Sequence, residues 1–492
     1  MILLNLKPDS AVPLFRQIVT QIKELIENDV VKPGSKLPST RSLSEKLGVN
    51  RSTIYKAYEE LWALGYIESR PGSYSVVRKR VELAEVNGNN TGSIIHWCKK
   101  SSPGAQKIFD MFAKSRSVNP ESMRLKDIIN LSPLLMDNRL FPAGEFRKSM
   151  NRVLKDNSDE VLDYGEHQGY KPLREYIANR LRSHSISTTA EEILITNGSQ
   201  HAIDLIFRMM TVPGDTVILE EPTYALAIPL LKLFGIKPAG IPMLDTGMDL
   251  NYLDKYLKKN RAAFLYTIPN FQNPTGTTTS QMHREQLLGI CEKYKLPLVE
   301  DGFEEEMKYF GKVVLPIKSM DKNKCVIYLG SFSKVLFPGA RIGWIAAGKE
   351  CIDRILAIKR FTDLSSNAIS QAALYDFCLN GHYDIHIKRM HRLFSKRMRT
   401  ALKALKKYMP ENKVIWSEPA GGYLIWLKLN NIKIDSAEIN KIFLKHGVIV
   451  SPGKFYYLKQ NNDIYFRISI STLNEKEIET GMKRLGEAIT KL

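Results

Sequence analysis

Residues 330–344 read Gly330-Ser331-Phe332-Ser333-Lys334-Val335-Leu336-Phe337-Pro338-Gly339-Ala340-Arg341-Ile342-Gly343-Trp344. A lysine here follows two small hydroxyl residues, and an arginine stands seven positions beyond it. A lysine amine can condense with an aldehyde, while hydroxyls and a guanidinium can hold a phosphate nearby. Alone this is a weak signal. Upstream, however, lie Asn273-Pro274-Thr275-Gly276 and, after an apolar run ending Leu298-Val299, the acid Asp301. The whole set sits in a stretch that alternates helix and strand from about Leu131, with short apolar strands at Glu192–Thr196, Thr216–Leu219 and Ala262–Tyr266. Such alternation predicts an α/β domain with a mostly parallel sheet and ligands at the carboxyl ends of its strands. The strand ending at Thr196 runs into Asn197-Gly198-Ser199-Gln200 and a helical stretch from Ala202 to Met210. A glycine turn that opens a helix presents unpaired N–H groups and a positive dipole end, which suits a phosphate.

The order Asn, Asp, Lys, Arg resembles fold-type I pyridoxal-phosphate enzymes, the aspartate-aminotransferase superfamily. That resemblance implies pyridoxal 5′-phosphate as cofactor, with Lys334 as its Schiff-base lysine and catalytic residue. It further implies that Gly198, Ser199, Gln200, Ser331 and Arg341 hold the phosphate, that Tyr224 stacks on the ring, and that Asn273 bonds the ring O3′. Asp301 would pair with the protonated ring nitrogen, which keeps the ring an electron sink. Tyr164, in Asp163-Tyr164-Gly165-Glu166-His167-Gln168-Gly169, would reach the phosphate of a second subunit, so a homodimer is implied. Arg467, in Tyr465-Phe466-Arg467-Ile468-Ser469, would clamp the α-carboxylate of a substrate or effector. Two positions depart from the family pattern: Phe303 stands where a tyrosine is usual, and Gly302 replaces a common acid. Phenylalanine cannot donate to the ring O3′, so slow or absent transaminase turnover is expected. From residue 371 the chain reads as a smaller α+β domain. Glu418–Leu427 is a turn entering a buried strand, and Lys388–Arg392 with Lys396-Arg397 forms a solvated basic helix face.

The first eighty residues are of a different kind. Leu14, Ile18, Ile22, Leu25 and Ile26 repeat at helical spacing after Pro13, and Lys32-Pro33-Gly34 breaks the chain. Ser39 caps a second helix, Thr40 to Leu47, and Gly48-Val49 makes a tight turn. Asn50 then caps a third helix running to about Leu64, with Ile54, Ala57, Tyr58, Leu61 and Leu64 inward. Its outward N-terminal face carries Arg51, Ser52, Tyr55 and Lys56, as a helix entering a major groove requires. Gly65 to Val77 reads as two short strands around Arg70-Pro71-Gly72, the wing of a winged helix. The string Leu37-Pro38-Ser39-Thr40-Arg41 … Leu47-Gly48-Val49-Asn50-Arg51-Ser52-Thr53-Ile54-Tyr55-Lys56-Ala57-Tyr58 closely resembles the GntR family of bacterial repressor domains. By that resemblance Arg41, Arg51, Ser52 and Thr53, with the wing around Gly72, contact DNA.

Composition agrees with several domains rather than one. The chain has 492 residues, 43% hydrophobic and 25% charged, and a net charge of +19 that suits a polyanionic partner. Cysteines 98, 291, 325, 351 and 378 are scattered and form no C-x-x-C pair, which argues for a reducing cytoplasm and against a zinc site or any other metal. No signal peptide or membrane-length apolar run is present, so a membrane partner is not expected. The expected division is residues 1–80 as winged helix, 81–125 as linker, 126–370 as the large cofactor domain and 371–492 as the small one. Together these features resemble the MocR/GabR family of bacterial transcription regulators. The family implies a dimer that binds a double-stranded DNA operator and senses an amino acid or amine by transaldimination. The alternative is an active aminotransferase carrying an accessory DNA-binding domain.

Overall fold

The computed structural model describes residues 3–69, 74–79, 95–116, 127–303, 305–430, 432, 434–459 and 461–492. The chain divides into two compact units, Met1–His96 and Trp97–Leu492.

In the first unit, helices α1 (Leu14–Glu27), α2 (Thr40–Leu47) and α3 (Arg51–Ala63) precede strands β1 (Ile67–Ser69) and β2 (Ser75–Val77). The caps are those the sequence suggests. The Ser39 side chain accepts the N–H of Ser42, the Asn50 side chain that of Ser52, and Gly48 ends α2 at a φ of 64°, where a side chain would be strained. Ile18, Ile22, Leu43, Ile54, Ala57 and Leu61 close one small core. Leu64, expected inward, instead follows the end of α3 and is 50% exposed, because the helical period that placed it no longer applies there. β1 and β2 pair antiparallel with Ile67 opposite Val77. The turn between them, with Gly72, lies outside the described residues.

The second unit is built on a mixed sheet of eight strands: β4 (Ile193–Thr196), β5 (Thr216–Glu221), β6 (Lys237–Leu244), β7 (Gly247–Met248), β8 (Phe264–Thr267), β9 (Leu298–Asp301), β10 (Val326–Ser331) and β11 (Gly343–Ala346). Their order is β4-β11-β10-β9-β8-β5-β6-β7. β10, β9, β8, β5 and β6 run parallel to one another, while β11 and β7 pair antiparallel with their neighbours. Because β4, β5, β8, β9 and β10 point the same way, the residues that follow each of them gather at one edge. One buried acid ties two of those loops together. Glu220, 1% exposed in β5, accepts from the Thr267 hydroxyl (2.5 Å), the Ile268 N–H (3.2 Å) and the Gln272 amide (3.0 Å). Gln272 also donates to the Pro222 carbonyl at 2.8 Å and accepts the Thr275 N–H at 2.9 Å.

The smaller part of this unit begins before the larger one. β3 (Ile129–Asn130) pairs in parallel with β14 (Val448–Ile449), so residues just after 126 belong structurally with the C-terminal elements. A second sheet, in the order β12-β13-β16-β15, is formed by β12 (Val414–Trp416), β13 (Leu424–Leu429), β15 (Ser451–Pro452) and β16 (Ile464–Ser469). Within the stretch expected to be a linker, Pro103–Arg116 is a helix packed on the helix Ala227–Leu233. Gly104 permits the approach, since a Cβ there would lie 2.3 Å from the Leu233 carbonyl oxygen.

Arg397 departs from the expected solvated face. It lies in the helix His382–Tyr408, is 3% exposed, and donates to Asp137 at 2.7 Å. Arg139 donates to the same carboxylate at 2.8 and 2.9 Å. Burial works against the charge on Asp137, yet the two guanidinium groups hold it below the usual carboxylate range. The pattern of basic residues could not show this, because the partner is 260 positions away in sequence. Arg397→Ala should cost about 3 kcal/mol in denaturant unfolding, whereas Arg397→Leu combined with Asp137→Asn should recover a good part of it.

Burial also pushes Glu220 up to about 7. Its folded pKa exceeds its unfolded value, so the native state binds the proton more tightly and stability falls as pH rises from about 4.5 to about 7. Melts of the cofactor-free protein between pH 5 and 8 should show a decline on the order of 1–3 kcal/mol from this group. Glu220→Gln, which cannot ionise, should flatten that slope.

Candidate functional site

The parallel strands deliver their following residues to one cavity of about 280 Å³. Ser199, Tyr224, Asn273, Asp301, Ser331, Lys334 and Arg467 all line it, with Leu134, Leu226, Ile268, Phe303 and Tyr456 among the other walls. Gly198 and Gln200 adjoin the cavity through Ser199 and Tyr224, which line it, and Arg341 lies against the turn at Gly198. The Tyr224 hydroxyl donates to Gln200 at 3.3 Å, and Arg341 donates to the Asn197 carbonyl at 2.6 Å.

Two residues at one end have unusual backbones. Gly198, at φ 87°, precedes the helix Ser199–Met210, whose N-terminus has no side-chain cap. A Cβ on Gly198 would lie 2.9 Å from the Arg341 guanidinium, so glycine is needed both for its φ and for room. Arg341 itself sits at φ 51°, a left-handed conformation that holds its side chain across this turn. Ser331 accepts the Ser333 N–H at 3.1 Å, and the buried Ser333 hydroxyl has no hydrogen-bond partner. Uncapped N–H groups, hydroxyls and a guanidinium thus converge as a phosphate requires.

Asp301 lines the same cavity. It is 3% exposed at the end of β9 and takes a hydrogen bond from the Tyr266 hydroxyl at 2.7 Å on Oδ2. Its other oxygen, Oδ1, is buried and makes no well-formed hydrogen bond. Burial pushes this carboxyl up to about 6, against the downward pull of Tyr266 and of the Phe303 N–H. An unfulfilled, desolvated acceptor beside a cavity fits a protonated ring nitrogen. Gly302 also has a local reason. A Cβ there would fall 2.2 Å from the Tyr328 hydroxyl, which leaves no space for the acid common at that position.

Each of the remaining cations donates to a backbone carbonyl. Lys334 donates to the Leu134 carbonyl at 2.6 Å. Arg467, on β16 of the second sheet, donates to Asn273 at 3.1 Å and to the Ser132 carbonyl at 2.7 Å, with its guanidinium 5.1 Å from the Tyr456 ring. Tyr164 is not brought to the cavity of this chain. It is 80% exposed in a separate depression with residues 365–369. Sequence reading missed Tyr266, Tyr456 and Leu134. A tyrosine inside the buried run Phe264–Thr267 was a usable signal, because its hydroxyl must find a partner there. Nothing in the sequence around Tyr456 or Leu134 marks them.

In the first unit, Arg41 and Arg51 are exposed at the adjoining ends of α2 and α3. Arg41 pairs with Glu45 at 3.2 Å, and Arg51 donates to the Thr40 hydroxyl at 3.4 Å. The Ser52 hydroxyl is turned to Asn50 at 3.0 Å, and Thr53 is half-buried. Lys56 lies back over the Phe15 ring at 4.5 Å. Among the described residues no cluster suited to a metal ion occurs, and no helix is long and apolar enough to cross a membrane.

Comparison with known proteins places both units. Residues 127–485 match the family of class I and II aminotransferases, and residues 14–77 match the gntR family of bacterial regulatory proteins. The chain is 33% identical over 98% of its length to the HTH-type transcriptional regulator YdfD of Bacillus subtilis, 97% of which is covered. It is 29% identical to the probable rhizopine catabolism regulatory protein MocR of Rhizobium meliloti over 86% of this chain and 83% of that one. Among solved structures, the α-aminoadipate aminotransferase LysN of Thermus thermophilus, complexed with N-(5′-phosphopyridoxyl)-L-leucine, aligns with a TM-score of 0.73 at 30% identity, over 81% of this chain and 99% of LysN. The family implies pyridoxal 5′-phosphate, and the unsatisfied oxygen of Asp301, the uncapped helix and Lys334 fit it. The chain belongs to the class I and II aminotransferase family and, with its gntR-type helix-turn-helix, is a MocR/GabR-like regulator.

Proposed function

We propose that this protein is a dimeric, cytoplasmic transcription regulator that binds an operator through its first unit and senses an amino acid or amine at the cavity of its second. The observation that carries this reading is the convergence of Lys334, Asp301, Asn273 and Arg467 on one cavity in a chain that begins with a gntR-type helix-turn-helix. When bound, pyridoxal 5′-phosphate supplies an aldehyde carbon that amines can attack and a ring that withdraws electrons. In this reading Lys334 would hold the aldehyde covalently and would be the amine that an incoming amino compound displaces. Asp301 keeps the ring nitrogen protonated, Tyr224 covers the ring, and Arg341, Ser331 and the turn at 198–200 anchor the phosphate.

Arg467 receives the carboxylate of the incoming molecule. Among the described residues lining the cavity, Lys334 and Arg467 are the only cations, while Leu134, Leu226, Ile268 and Tyr456 offer apolar wall. That lining favours an amino carboxylate with an uncharged side chain. Tyr164, exposed on each chain, is assigned to the phosphate of the second copy. Residues 1–80 then form the DNA-binding head, 81–125 the connector, and 126–370 with 371–492 the sensing module, residues 127–140 crossing into its smaller part.

Borohydride reduction and peptide mapping should place the pyridoxyl group on Lys334. Lys334→Ala should abolish both the label and the spectral response to amino acids while leaving the melting profile within about 1 kcal/mol. Label on another lysine would refute the site. In the head, Arg51→Ala should weaken operator binding by about 1–3 kcal/mol and relax discrimination between operator and unrelated DNA at physiological salt. Unchanged affinity and discrimination would remove Arg51 from the interface.

A further inference from the structure

Asp301 stands at the end of a parallel strand, and the residue that fixes its orientation stands on the neighbouring one. β8 and β9 pair with Tyr266 opposite Val299, two positions before Asp301. Tyr266 is 2% exposed, and its ring lies in the apolar cluster with Leu219, Phe264, Val299 and Phe303. From there its hydroxyl meets Oδ2 of Asp301 at 2.7 Å. Phe303, which comes two residues after Asp301 and also lines the cavity, has no hydroxyl to offer.

We propose that Tyr266 is a positioning residue for the cofactor: its hydroxyl occupies Oδ2 of Asp301 and thereby leaves Oδ1 as the single oxygen available to the ring nitrogen. The proposal rests on the reading that Asp301 faces that nitrogen. A carboxylate free to rotate could present either oxygen, or could turn both toward the protein's own donors. Fixing one oxygen with a neutral donor removes that freedom without neutralising the charge. Burial raises the Tyr266 phenol well above its ordinary value, so it remains a donor throughout the accessible pH range. Its hydrogen bond also favours the charged form of Asp301, the form that pairs with a protonated nitrogen. Glu220 is pushed up by its burial and, to a lesser degree, by the charge on Asp301, and its oxygens accept from Thr267, Ile268 and Gln272.

The test compares two ligands on the purified full-length protein. One is pyridoxal 5′-phosphate, and the other is its deaza analogue, in which a CH group replaces the ring nitrogen. Wild type should bind the natural cofactor at least roughly tenfold more tightly than the analogue. Tyr266→Phe keeps the ring and removes the donor. It should weaken the natural cofactor by about tenfold while leaving the analogue within about twofold of wild type. In an Asp301→Asn background the same substitution should have no further effect on either ligand.

Equal weakening of both ligands by Tyr266→Phe would show a packing role and overturn the proposal, as would no weakening of either. A further loss in the Asp301→Asn background would do the same, since Tyr266 would then act by another route. If wild type itself fails to distinguish the two ligands, the pairing of Asp301 with the ring nitrogen is wrong, and this proposal falls with it. The melting profile of the cofactor-free variant supplies the folding control.

Discussion

A carboxylate buried at the end of a central strand must be compensated, and Asp301 is only half compensated by its own chain. Tyr266 holds one oxygen and the Phe303 N–H draws on the carboxyl more weakly, while Oδ1 makes no well-formed hydrogen bond. An isolated buried charge is costly, so such a group either takes up a proton or awaits a cationic partner. The rest of the second unit is arranged so that a partner can reach it. β9 lies between β8 and β10, which puts Tyr266 and the Asn273 loop on one side and Ser331 with Lys334 on the other. A shift of either neighbouring strand by one residue would exchange the faces on which these side chains emerge, so strand register is the constraint on which the site depends.

That register is reinforced by a second buried acid. Glu220 gathers donors from Thr267, Ile268 and Gln272, and Gln272 then reaches Pro222 and Thr275. The loop bearing Tyr224 and the loop bearing Asn273 are therefore fixed to each other through side-chain amides and hydroxyls rather than through a ladder. Networks of this kind work only when each member is satisfied. Of the buried polar atoms left without partners near the site, Asp301 Oδ1 and Ser333 Oγ belong to residues lining the cavity, whereas Thr223 Oγ1 lies beside Tyr224 outside that lining.

How much of this could be read from sequence depended on distance along the chain. Helix caps at Ser39 and Asn50, the left-handed Gly48 and the strands read at Glu192–Thr196, Thr216–Leu219 and Ala262–Tyr266 follow from local patterns, and the structure has them with strand ends shifted by up to two residues. The residues convergent on the cavity were legible because their order along the chain resembles a family; no single motif among them would have sufficed. What was illegible lay in partners far apart in sequence. Arg397 reads as one more basic residue on a helix until Asp137 is seen beneath it. Gly302 reads as a missing acid until the Tyr328 hydroxyl is seen in its place. Leu64 failed for the opposite reason, being a local pattern extended one residue past the end of its helix.

The two cations of the cavity share one further dependence. Lys334 and Arg467 come from different sheets, yet their partners, the carbonyls of Leu134 and Ser132, are two residues apart on one segment. That segment follows β3, which is paired with β14, and precedes Asp137, which is buried against Arg397. A group bonded to Lys334 and a carboxylate drawn to Arg467 therefore compete with neighbouring carbonyls of the same short stretch of backbone. Those carbonyls lie on a segment anchored at both ends to the smaller part of the unit, so the two cations of the cavity and that part meet through ordinary hydrogen bonds.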